Sequence, residues 1–199
     1  MAPNKPLKPI LDYVIIVIIF MIFILINLFF VFIVIFALII LWWVWPPDSP
    51  WSPWWRTSSK KALAAAKLAK INSKDIVYEL GSGDANFLVA VCKKTGAQGV
   101  GVEIDAIRCL TAKLNIFKNK VSKRVAINRG NFFDYKIGSA TIVFVYLVPR
   151  VLENLKPKLF KELKKGTKII SYKYKFKPNK KLKFDGEDKK NEMYLYKII

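Results

Sequence analysis

The stretch from Ile76 to Asn86, IVYELGSGDAN, decides how this 199-residue chain is read. A β-prone run, Asp75 to Leu80 (DIVYEL), ends at two closely spaced glycines, and the helix-forming run ANFLVAVCKK follows at once. Strand, glycine turn and helix in that order is the context in which a backbone turn approaches a nucleotide-like ligand. A dinucleotide turn, G-x-G-x-x-G, started at Gly81 would place its third glycine where Asn86 stands. The pattern present is instead E-x-G-x-G-x-A, carried by Glu79, Gly81, Gly83 and Ala85, with Ser82 and Asp84 between the small residues.

Outward from this turn the elements alternate. GVGVEI (Gly99 to Ile104) reads as a second strand, a helix is expected from Asp105 to Asn119, and RVAIN (Arg124 to Asn128) as a third strand. The long β-branched and aromatic run ATIVFVYLV (Ala140 to Val148) is expected to be a central strand buried on both faces. A helix from Arg150 to Lys165 and a strand TKIISYKYKF (Thr167 to Phe176) come next. The lysine-rich stretch Lys177 to Lys190 reads as a loop or hairpin, and EMYLYKII as the last strand. Before the turn, SSKKALAAAKLAK predicts a helix capped by Ser58. The expected fold is α/β, a Rossmann-like, largely parallel sheet with flanking helices and its ligand at the carboxyl ends of the strands.

The acid two residues before the first glycine suits S-adenosylmethionine. That donor has no pyrophosphate to place on a helix N-terminus, so small residues serve to bring the backbone close, and a carboxylate offsets its positive charge. Glu103, at the end of the second strand, is placed to accept from ribose hydroxyls. In RGNFFD, after the third strand, Asn131 and Phe132 are candidates to flank the adenine. Taken singly, Gly81 and Gly83 are also read as a plain tight turn, Glu103 as a surface acid and Asn131 as a turn cap. Their coincidence at one sheet edge favours the ligand.

The chain has no histidine and only two cysteines, Cys92 and Cys109. Zinc hydrolases, Ser-His-Asp hydrolases and Cys-His proteases all need an imidazole, so those classes are excluded. No metal site is expected, and with both cysteines on predicted helices no disulfide is expected.

From Tyr13 to Trp45 there is no charged residue, and Asn27 is the one strongly polar side chain. That exceeds the roughly 20 apolar residues needed to span a bilayer and the short core of a cleaved signal peptide. Residues 1–12 are therefore read as an N-terminal tail, 13–45 as a transmembrane helix, 46–57 as a tryptophan- and proline-rich interfacial linker, and 58–199 as the catalytic domain. A two-helix hairpin turning at Asn27 is the weaker alternative, because no glycine or proline interrupts the run. The formal charge is +20. Arg56, Lys60, Lys61, Lys67 and Lys70 follow the span, against Lys5 and Lys8 before it, which predicts a single-pass protein with its catalytic domain cytoplasmic. The excess charge is read first as attraction to the anionic surface of the bilayer and second as a nucleic-acid surface.

VYELGSGDA, GVEID and IVFVYLVPRVLENLKPKLFKELKKGTKIISYKYKF resemble the class I S-adenosylmethionine-dependent methyltransferases. More narrowly, they are similar to the small membrane-anchored protein-lysine methyltransferases of the ATP synthase c subunit and the adenine nucleotide translocase. The resemblance runs from Ser58 to the C-terminus and implies a turn of the form D-L-G-S-G-D-G. Here Glu79 replaces the aspartate, Ala85 the last glycine, and Asn131 stands where an aspartate is usual. Tyr146 and Pro149, in VYLVPR, lie where an acceptor lysine of a membrane protein is expected to enter, although Tyr146 is equally read as strand packing. An (N/D)-P-P-(Y/F) motif for adenine amines is replaced by YLVP, which ranks nucleic acid lower as a substrate. A lipid or small-molecule acceptor, and a membrane-tethered scaffold without catalysis, stand as alternatives.

Overall fold

The computed structural model describes residues 8–44 and 55–199, and the chain forms two compact units, Met1–Trp45 and Pro46–Ile199. In the first, α1 (Lys8–Val44) is one unbroken helix of 37 residues. Its stretch Leu11–Leu41 is long and apolar enough to cross a membrane. At about 1.5 Å per residue α1 is about 55 Å long, well beyond the hydrocarbon thickness of a bilayer. Asn27 makes no turn: its amide donates to the Phe23 carbonyl at 2.7 Å, one helical turn back. Residues 1–7 of the tail, the side chains of Lys8 to Ile10 and of Trp42 to Val44, and residues 45–54 of the collar lie outside the described residues.

The second unit opens with α2 (Ser59–Ala69), whose N-cap Ser58 accepts from the Lys61 backbone N–H at 3.3 Å. Its alanines are there for a reason: Ala62, Ala65, Ala66 and Ala69 form the buried face, where larger side chains would hold the helix away. Then come β1 (Ile76–Leu80), α3 (Asn86–Thr95), β2 (Gln98–Glu103), α4 (Ala106–Lys118), β3 (Val125–Arg129), β4 (Ile142–Val145), α5 (Pro149–Glu162), β5 (Lys168–Tyr172), β6 (Leu182–Asp188) and β7 (Met193–Ile198). The sheet order is β3-β2-β1-β4-β5-β7-β6. Strands β1 to β5 pair in parallel, and β7 runs antiparallel between β5 and β6. This is the expected Rossmann-like sheet, and its chain reversal beside β1 puts the carboxyl ends of β1, β2 and β4 around one crevice.

One core packs residues of α2, α3 and α4 on one face of the sheet, with the Phe87 and Phe144 rings stacked 3.7 Å apart. The other packs α5 on the opposite face through Val151, Leu152, Leu155 and Leu159. All four residues of β4 are buried, as a doubly covered strand requires.

Three boundaries depart from the expectations. β4 stops at Val145 rather than Val148, because its partner β1 leaves the ladder after Leu80, which pairs with Val145. β5 ends at Tyr172 rather than Phe176: Lys173 takes φ 71° and donates its backbone N–H to the Glu192 carbonyl at 2.7 Å. α5 ends at Glu162, with Leu163 already extended. Of the two readings of Lys177 to Lys190, the hairpin is the one formed: the stretch contributes β6, the edge strand of an antiparallel hairpin with β7.

Gly101 of β2 fixes how close the glycine turn sits. A Cβ there would lie 2.5 Å from Ile127 Cδ1, 2.6 Å from Ser82 Oγ and 2.8 Å from Ser82 Cβ. Gly101→Ala is therefore expected to lower stability by roughly 1–3 kcal/mol, the usual cost of overpacking. Thermal melting reads this directly, and an unchanged midpoint would mean that Ser82 moves aside freely.

Candidate functional site

The cleft lies over the carboxyl ends of β1, β2 and β4. Glu79, Gly81, Ser82, Asp84, Glu103, Asn131, Phe132 and Tyr146 all line it. Two expected residues do not. Gly83 instead turns its backbone N–H into the protein, and Pro149 is the exposed first residue of α5.

Glu103 organises the turn. Its Oε2 accepts from Gly83 N–H at 2.7 Å and its Oε1 from Asp105 N–H at 3.0 Å, so one carboxylate ties the glycine turn to the start of α4. Gly81 and Gly83 adopt φ of 80° and 51°, the left-handed region where glycine costs least. Ala85 is also left-handed at φ 58°, yet its methyl is fully buried in the core rather than directed to the cleft. Roughly 1–2 kcal/mol of left-handed strain is thus set against about 0.8 kcal/mol for the buried methyl. Ala85 itself is not among the residues that line the cleft.

Although the whole chain is strongly basic, the floor of the cleft is acidic. Among the described residues, Glu79 Oε2 and Ser82 Oγ are buried without a hydrogen-bond partner. Burial, reinforced by the nearby charges of Asp84 and Glu103, holds the Glu79 carboxyl well above the ordinary 4.5. Burial also raises Glu103, while the N–H groups of Asp105 and Gly83 and the Arg108 guanidinium pull it back. Orphaned acceptors on a carboxylate floor fit a ligand with positive charge and hydroxyl donors, as S-adenosylmethionine is.

A group raised in the folded state stabilises fully below its unfolded pKa, and that contribution is lost as pH rises through the folded value. Glu79→Gln, of equal size and neutral, should therefore gain stability over the parent as pH rises from acid toward neutral. Melting curves across that range check it, and parallel profiles would show that Glu79 carries no such linkage.

At the rim, Asn131 Oδ1 accepts from Phe133 N–H at 3.0 Å, so it does cap its turn while lining the cleft. Phe132 packs on Phe133 with ring centroids 4.8 Å apart. Tyr146 packs on Tyr172 at 4.4 Å, and burial raises its hydroxyl pKa. Lys61 Nζ lies 5.5 Å from the Tyr172 ring centroid.

Several lining residues escaped the sequence reading. Trp55, Arg56 and Thr57, assigned by sequence to the linker, border the cleft. The Arg56 guanidinium meets Asp84 at 2.6 Å, and Asn86 Nδ2 donates to the Thr57 carbonyl at 2.6 Å. A basic residue just before the domain was visible; that it pairs with the acid of the turn was not. Arg108 and Phe87 likewise line the cleft.

The model of the ANTKMT methyltransferase domain matches residues 79–183. A protein-lysine N-methyltransferase of Saccharolobus islandicus is 38% identical over 146 residues, covering 71% of this chain and 91% of that protein. A lysine N-methyltransferase of the ATP synthase c subunit, from Caenorhabditis elegans, is 24% identical over 127 residues, 64% of this chain and 66% of that protein. An RNA methyltransferase from Salinibacter ruber, solved with S-adenosyl-L-homocysteine, superposes with a TM-score of 0.66 at 29% identity over 72% of this chain and 94% of that one.

Proposed function

From the premise that the chain belongs to the ANTKMT methyltransferase domain family, we propose that it methylates a lysine of a membrane protein while α1 holds it in the bilayer. It is an S-adenosylmethionine-dependent protein-lysine methyltransferase. The observation that carries the chemistry is the acidic floor of the cleft at the glycine turn, with Glu79 and Glu103 buried side by side in a chain of formal charge +20.

S-adenosylmethionine, when bound, supplies a methyl group activated by an adjacent sulfonium. Glu103 would accept from its ribose hydroxyls, and Gly81 and Ser82 would bring the backbone against it. Glu79 and Asp84 would face its positive charge, with Asn131 and Phe132 beside the adenine. Tyr146 lines the cleft with Tyr172 packed on it, and desolvation of an acceptor lysine against that surface would disfavour the ammonium and promote loss of the proton it must shed before it can attack. Orienting the neutral amine and excluding water are then the tasks left to the protein. No histidine base is required. Pro149, the exposed first residue of α5, follows the end of β4 by four residues.

The positive flank of α1 supports a cytoplasmic second unit, the compartment that holds the donor. The names of the relatives support lysine, and the apolar length of α1 supports a target in the membrane. Full-length protein in detergent, given radiolabelled donor together with membrane protein, RNA and lipid, should place the label in protein as methyl-lysine. Label in RNA or lipid would reassign the acceptor, and tight donor binding with no product would leave a scaffold.

A further inference from the structure

The cleft leaves one surface of the second unit without a task. α4 buries Arg108, Cys109, Ala112 and Ile116, whereas Ile107, Leu110, Leu114 and Phe117 are 38%, 60%, 51% and 75% exposed. With about 3.6 residues per turn, these four apolar side chains fall within an arc of about 80°, opposite the buried face. A solvent-facing stripe of a soluble helix ordinarily carries polar residues. Exposed Lys113 and Lys118 border the stripe, one on each side. From Ala106 to Phe133 the chain has seven Lys or Arg and no Asp or Glu.

An apolar stripe bordered by cations matches the headgroup boundary of an anionic leaflet, where methylenes seat below the phosphates and ammonium groups reach back to them. A protein partner would need its own apolar groove with an acidic rim. A bilayer offers both layers at once, and α1 of the same chain is apolar over Leu11–Leu41. The ten residues between α1 and Trp55 span at most about 35 Å, so a bilayer holding α1 is within reach of this surface. The stripe also begins at the cleft: α4 starts three residues after Glu103, and Ile104 and Arg108 line the cleft.

We propose that the exposed face of α4 is a membrane-docking surface, with Ile107, Leu110, Leu114 and Phe117 seated in the interface of an anionic leaflet and Lys113 and Lys118 at its phosphates. The proposal rests on the reading of α1 as a membrane anchor. Docking there holds the N-terminal end of α4, and with it the cleft-lining Ile104 and Arg108, close to the membrane surface.

The test uses full-length protein in phosphatidylcholine vesicles with and without phosphatidylserine, carrying a fluorophore on Leu114→Cys or, as control, on exposed Lys161→Cys of α5. Cys92 and Cys109 are buried, and burial pushes their thiols up to about 12 and about 11, so labelling goes to the introduced cysteine. The label at 114 should be shielded from a water-soluble quencher, reached by a lipid-confined one and shielded further by phosphatidylserine, while the label at 161 stays open to water. Equal water access at both positions overturns the proposal. Shielding at 114 without contact by the lipid-confined quencher also overturns it, and assigns the face to protein, such as a second copy of the chain. Alkaline carbonate extraction reads the anchor separately. Protein stripped by carbonate but lipid-quenched at 114 beforehand would remove the anchor and keep the docking surface, and protein that never associates with vesicles would remove both.

Discussion

Glu103→Ala should abolish usable donor binding and weaken the fold at the same time. The carboxylate is buried, accepts from Gly83 and Asp105 N–H, and stands where the ribose hydroxyls would need acceptors. Truncation orphans two backbone donors at roughly 1–3 kcal/mol each, offset in part by relief of burying an acid whose pKa burial has raised. Losing hydrogen bonds to a charged acceptor, at roughly 1.5–3 kcal/mol each, should weaken donor affinity by about a hundredfold or more. Calorimetric titration with S-adenosylmethionine and with S-adenosylhomocysteine reads the affinity, and thermal melting reads the fold. Affinity within about twofold of the parent in a folded variant would remove Glu103 from the site.

Deleting residues 1–45 should separate binding from delivery. The remaining unit keeps Arg56 against Asp84 and Thr57 against Asn86, contacts that a protein begun at Arg56, without the cleft-lining Trp55, would put at risk. Donor affinity should therefore stay within about twofold, whereas methylation of a membrane-embedded target should fall by roughly 10²-fold, the scale of a lost effective concentration. An unrelated transmembrane helix fused at residue 46 should restore the rate. Full activity without any span would show that α1 does not deliver the enzyme to its target.

The parts of the fold that local chemistry dictates were legible in the sequence. IVYELGSGDAN reads as strand, glycine turn and helix and folds so, and Ser58 caps its helix as its residue type favours, while Asp105, read as the first residue of its helix, is its cap. The expected cleft residues converge because strand ends in a parallel sheet share one edge, which is why Glu79, Glu103, Asn131 and Tyr146 meet despite lying 67 positions apart from first to last.

What was illegible depends on contacts between distant segments. β4 and β5 are shorter than their β-prone runs because a strand ends where its neighbour leaves the ladder, and composition does not carry that information. The need for glycine at 101 arises only when β2 lies against Ser82 and Ile127. Arg56 reads as one more basic residue of a membrane flank until its pairing with Asp84 draws the end of the linker over the turn. The apolar stripe of α4 is hidden in the sequence because a helix with two apolar faces looks like one buried all round, and only the packing shows which face is covered.

The most direct test is mass spectrometry of membranes from matched cells with and without this protein, searched for lysine residues shifted by one to three methyl groups. The proposed function predicts such a shift on a lysine near the membrane surface of an integral membrane protein, lost again in cells that carry the Glu103→Ala variant. Methylation confined to soluble proteins, RNA or lipid, or membranes indistinguishable with and without the protein, would contradict it.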